Sequence, residues 1–183
     1  MKNTSMFNVL KITTTSILMA VATQSYAGSF SQDKLPNAVQ VPAGNKVAMH
    51  TVAQGNITWV CKVDTKNTTQ AKWAFAGPRA ILSDNKGNHL VSYFGPPATW
   101  ESLDGSSITG KQLAVSPSAK GSIPMQLVKA NASSRPGALQ GVTYVQRINL
   151  KGGAAPEMGC STDKLGHTVV VNYSGDYLFW TSK

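Results

Sequence analysis

Asn56-Ile57-Thr58-Trp59-Val60-Cys61-Lys62-Val63 alternates strictly: Ile57, Trp59, Cys61 and Val63 share one face of an extended chain, Thr58 and Lys62 the other. Side chains on a strand alternate with period two, so the apolar set is buried and Cys61 points into a core. A second alternation runs from Val142 to Leu150. It places Val142, Tyr144, Ile148 and Leu150 on one face and Thr143, Arg147 and Asn149 on the other, with Gln146 a polar exception on the buried side. Further strands are expected at Lys46 to Ala53, Trp73 to Leu82, His89 to Phe94, Thr99 to Ser102, Ile108 to Val115, Met125 to Ala130, His167 to Tyr173 and Tyr177 to Trp180. Asp84-Asn85-Lys86-Gly87-Asn88, Asp104-Gly105-Ser106 and Ser174-Gly175-Asp176 read as the turns between them. No window of helical length keeps a 3.6-residue period and no repeat recurs at a fixed interval. The fold class is therefore all-β, a single-domain antiparallel β-sandwich or small β-barrel, and the pattern leaves both open.

Ahead of the strands, a Lys-bearing stretch (Lys2 to Lys11) leads into the uncharged Ile17-Leu18-Met19-Ala20-Val21-Ala22 and then Ser25-Tyr26-Ala27. That order is a secretory signal with cleavage after Ala27. The uncharged run is too short to span a bilayer. Residues 28–34 read as a loose terminus and 35–183 as one domain, and the expected location is periplasmic or extracellular. Cleavage removes 27 of 183 residues, leaving 156, and takes Lys2 and Lys11 away, lowering the net charge from +9 to +7. A basic surface favours an anionic envelope component or glycan. The cations are scattered along the chain, so no specific nucleic-acid recognition is expected.

Cys61 and Cys160 are the two cysteines. In an exported chain they are expected to form a disulfide. Cys61 lies on an apolar strand face where thiolates are disfavoured, and neither cysteine sits in a C-x-x-C pair, so the bridge is structural. It is expected to pin a C-terminal hairpin to an early strand.

Chemistry-bearing motifs are sparse. His50, His89 and His167 are far apart, so no metal site and no cofactor is expected, and His50 is expected to be semi-buried and hydrogen-bonded. Serines lack a G-x-S-x-G elbow. Asn56-Ile57-Thr58 and Asn172-Tyr173-Ser174 are among four matches to the glycosylation sequon, which act only in a eukaryotic secretory pathway. The densest stretch, Gly95 to Ser106, combines Trp100 with Glu101 and Asp104 ahead of a tight turn. Such a grouping offers either a sugar platform or an acid/base pair, against a plainer role in which Asp104 caps its own turn and Trp100 packs.

Gly55 with Trp59-Val60-Cys61, Leu82-Ser83-Asp84 with Gly87, Trp100-Glu101 with Asp104-Gly105-Ser106, Val145-Gln146-Arg147 with Gly152-Gly153 and Ala155-Pro156, and Gly159-Cys160 together resemble domain-of-unknown-function family 3455, secreted bacterial and fungal proteins. The resemblance runs from Leu35-Pro36 to Trp180 and implies an exported domain with a matched cysteine pair, but no reaction. Family members often carry a histidine before the segment equivalent to Gly95-Pro96-Pro97-Ala98-Thr99-Trp100-Glu101; this chain has Ser92 there, so no role for that histidine carries over. The leading expectation is a non-enzymatic binding module with Trp100, Glu101, Asp104 and Arg147 at its site. The competing ones are a glycan or ester hydrolase using Glu101 or Asp104, and a structural or stress-protective secreted protein.

Overall fold

In a computed structural model, residues 30–183 are described; the expected export signal lies outside them. Eight strands follow one another around a closed antiparallel barrel: β1 (Asn45–Asp64), β2 (Asn67–Ser83), β3 (His89–Phe94), β4 (Thr99–Ser102), β5 (Ser107–Ser116), β6 (Met125–Ala130), β7 (Val142–Gly152) and β8 (Thr168–Ser182). Each pairs with the next, and β8 returns to β1 from Asn45↔Ser182 to Val60↔Thr168. Of the two all-β architectures, the chain adopts the barrel. Among the described residues no helix is long and apolar enough to cross a membrane.

The expected strands at Lys46 to Ala53 and Asn56 to Val63 are one strand, β1, and those at His167 to Tyr173 and Tyr177 to Trp180 are one strand, β8. Ser174-Gly175-Asp176 is therefore strand and not turn. Glycine serves packing there, since a Cβ on Gly175 would lie 2.6 Å from Leu150 Cδ1. Gly55 is tighter: its Cβ would fall 2.2 Å from the Arg79 carbonyl oxygen. The turns at residues 84–88 and 103–106 form as expected, with Gly87 and Gly105 at positive φ (86° and 80°).

Inward side chains fill the barrel: Ile57, Leu82, Val91, Tyr93, Trp100, Ile108, Val128, Val145, Tyr177 and Phe179 are all buried. An eight-stranded barrel is just wide enough for side chains to fill it. Leu139 and Ile123, from the loops at opposite ends, complete this core. Leu127, Leu178 and Trp180 have the opposite parity and are buried as well. On that outer side Gln146 donates through Nε2 to the Val39 carbonyl (2.7 Å) and to Gln32 Oε1 (3.0 Å). Gln32 also exchanges hydrogen bonds with Val41, so the stretch read as a loose terminus includes an anchored residue.

Beyond Val60, β1 and its partners in β2 up to Trp73 continue as a two-stranded ribbon past the β8 ladder. Such a ribbon is marginal alone. The ribbon is fastened to the long β7–β8 connection by the Cys61–Cys160 disulfide, by Trp73 Nε1 donating to the Met158 carbonyl (3.1 Å) and by backbone bonds from Cys61 N to the His167 carbonyl (2.8 Å) and from Gly166 N to the Cys61 carbonyl (2.9 Å), while Trp59 Nε1, at its base, donates to the Gly153 carbonyl (3.1 Å). Because Tyr173 and Tyr177 share one strand, the bridge ties the β7–β8 connection to β1 and pins no separate hairpin. The half-cystines are 99 residues apart, and closing a loop that long stabilises by about 2–4 kcal/mol. Urea titration of a Cys61→Ser/Cys160→Ser variant should show that loss, and a variant as stable as the parent would assign the ribbon's anchoring to the indole and backbone hydrogen bonds. Gly55→Ala should cost at least about 2 kcal/mol in the same assay, since the carbonyl it meets is backbone held in the ladder.

Candidate functional site

The four residues expected at a site occupy three places. Trp100 is buried and stacks on Tyr93 with ring centroids 4.9 Å apart. Arg147, expected on the exposed face of its strand, points inward instead. Irregularities between Val142 and Tyr144 and between Ile148 and Lys151, with Asn149 at φ 55°, shift the alternation of β7, so Val145 and Arg147 face the interior and Gln146 the outside. Glu101 is exposed on the outer wall, and Asp104 sits in the β4–β5 turn.

Inside the barrel, Arg147 and Trp100 belong to one aromatic cluster. Tyr93 stacks on Trp100 and lies 5.4 Å from the Tyr177 ring, and the Tyr173 and Tyr177 hydroxyls are 3.0 Å apart. Arg147 donates through Nη2 to the Pro124 carbonyl (2.9 Å). Its Nε, like Trp100 Nε1, is buried without a hydrogen-bond partner among the described residues. Burial raises all three phenols, Tyr173 to about 12, while the Arg147 guanidinium pulls the other way. These tyrosines are neutral donors within a packed interior.

Asp104 organises one mouth of the barrel. Its carboxylate accepts from Ser106 Oγ (2.6 Å), Ser106 N (2.8 Å) and Ala138 N (2.6 Å), and Ser106 Oγ accepts from Leu139 N (3.2 Å). The loop carrying the Leu139 plug is thus hung on Asp104. The Ser106 hydroxyl, followed by the Ala138 and Ser106 amides, holds the carboxyl at about 2.

The outer wall carries concave surface. Two open grooves, of about 710 Å³ and about 360 Å³, flank Gln54-Gly55-Asn56. Outward residues form rows across the strands. One runs Lys151, Ser174, Gln54, Ile81, Ser92 on β7, β8, β1, β2 and β3, and the next runs Asn172, Asn56, Arg79, Phe94 on β8, β1, β2 and β3. Between them the inward-facing row contributes its backbone, with Gly55 between Tyr173 and Ala80 as floor. Glu101 pairs with Ser92 and borders the first row, whereas Trp100 and Arg147 lie behind the wall. Ser92 Oγ meets His89 Nε2 at 3.1 Å. His50 is exposed, against expectation, because β1 turns residues 46, 48, 50 and 52 outward; its Nε2 is 3.6 Å from Asp176. Among the described residues no group of three or more His, Cys, Asp or Glu is placed to hold a metal ion.

A family model described as Protein of unknown function (DUF3455) matches residues 42–181, every strand of the barrel. The chain belongs to the DUF3455 family. No curated protein and no solved structure matches it. The wall residues of this DUF3455 barrel were hidden from sequence reasoning by their distance along the chain. Asn56 and Asn172 stood out only as sequon asparagines, and the β1–β8 register makes them direct neighbours.

Asp104 supplies a pH test. A depressed carboxyl contributes stability that is fully present above its unfolded value near 3.9 and is lost as pH falls through the folded value, here about 2. Melting temperatures from about pH 5 down to about pH 2 should therefore fall less steeply for Asp104→Asn than for the parent. Parallel curves would remove Asp104 from the acid response.

Proposed function

We propose that this DUF3455 protein is an exported, non-enzymatic binding module that holds a hydroxyl-rich envelope or extracellular glycan on the outer wall of its barrel. The observation that carries this is the side-by-side placement of Asn56 and Asn172, next to Gln54 and Ser174, along an open groove on a rigid sheet. Side-chain amides offer both donor and acceptor, the combination that vicinal hydroxyls match. Phe94 and Ile81, 38% and 52% exposed, add apolar surface for the C–H faces of sugar rings. Strands hold these groups in place before binding, which lowers the ordering cost of association.

Export is supported by the Lys-bearing, uncharged and small-residue order of residues 1–27 and by a disulfide suited to an oxidising compartment. The hydrolase alternative gains nothing from Asp104, whose oxygens are engaged by Ser106 and Ala138.

Binding of the purified chain to a panel of immobilised polysaccharides tests the proposal. Retention is expected on at least one polymer, with Asn56→Ala and Asn172→Ala each weakening it about tenfold, the equivalent of one hydrogen bond of roughly 1.4 kcal/mol. A chain that binds no polysaccharide, or binds equally well with both asparagines replaced, would sink it.

A further inference from the structure

Resting on the glycan-binding wall, we infer that its ligand is an acidic polysaccharide, laid across the strands, whose acid groups are met by Arg79 and Lys151. The groove lining contains these two cations and no carboxylate. The cations are not a run in the sequence. Arg79 comes from β2 and Lys151 from the end of β7, and barrel closure brings them to one wall on opposite flanks of the Gln54, Asn56, Asn172 and Ser174 group.

Register sets the ligand's direction. Neighbouring strands are about 4.8 Å apart, so the five-strand row from Lys151 to Ser92 spans about 19 Å. That length accommodates several sugar rings of an extended chain. The guanidinium of Arg79 offers a planar fork suited to an oxyanion, and Lys151 offers a point charge. The nearest acids stand outside the lining: Glu101 one strand beyond Ser92, and Asp176 two residues along β8 from Ser174. Asp176 is engaged by Asn149 Nδ2 (2.6 Å) and by His50. Glu101 thus bounds the row at one end, leaving the stretch between Arg79 and Lys151 for the acidic units.

Affinity electrophoresis through gels containing polygalacturonate, fully methyl-esterified polygalacturonate, dextran sulfate or dextran separates the contributions. The two acidic polymers distinguish carboxylate from sulfate, and each neutral partner keeps its backbone. Retardation by at least one acidic polymer should exceed that by its neutral form about tenfold, the equivalent of roughly 1.4 kcal/mol. Arg79→Gln and Lys151→Gln should each lose about three- to tenfold of it, in the range of exposed charge-assisted bonds. Lys111→Gln, the same charge change on β5, should lose none.

Equal retardation by acidic and neutral forms would overturn the acidity while leaving a glycan-binding wall. A loss for Lys111→Gln as large as for Arg79→Gln would reduce the attraction to net charge and overturn the assignment. Retardation by none of these polymers would also overturn it, and if the wider polysaccharide panel were negative too, the wall would fall with it.

Discussion

The pairing of β1 with β8 is the constraint on which the rest of the molecule depends. These strands are the first and last of the sheet, and their ladder from Asn45↔Ser182 to Val60↔Thr168 converts an open meander into a barrel. Closure removes the exposed sheet edges that otherwise invite aggregation. It also creates an inside and an outside, which is why one strand can carry Tyr173, Tyr177 and Phe179 inward and Asn172 and Ser174 outward. Long-range pairing of this kind carries a loop-closure entropy cost that slows folding.

Interior and wall divide the work. The interior is aromatic, with a guanidinium among neutral phenols and a carbonyl. The wall is a lattice of short and long polar side chains at fixed spacing, set by strand separation and not by loop conformation. Under the proposed binding role, a surface built this way has little to order on association.

Much of this was legible in the sequence and some was not, for identifiable reasons. Period-two alternation puts Ile57 in the core and Cys61 on a buried face, since local parity needs no knowledge of neighbours, although Cys61 is buried beside the β7–β8 connection and not within the barrel. Gly175 misled because glycine signals both turns and close packing, and only the Leu150 side chain against it tells them apart. Arg147 falls on the other face because an irregularity between Val142 and Tyr144 inverts the side chains up to the second irregularity after Ile148. Asp104 was readable as a turn cap, while its hold on Ala138 was not, because that contact crosses 34 residues. Asn56 beside Asn172 is a matter of register between strands far apart in the chain, which no local pattern encodes.

The two mouths of the barrel are fastened by different chemistries. One is closed by a carboxylate gripping a loop through hydrogen bonds, the other by a covalent sulfur bridge backed by two indole donors. Protons act on the first and electrons on the second, so acid is expected to weaken the Leu139 end and a reductant the ribbon end. The two ends therefore answer to different chemical conditions.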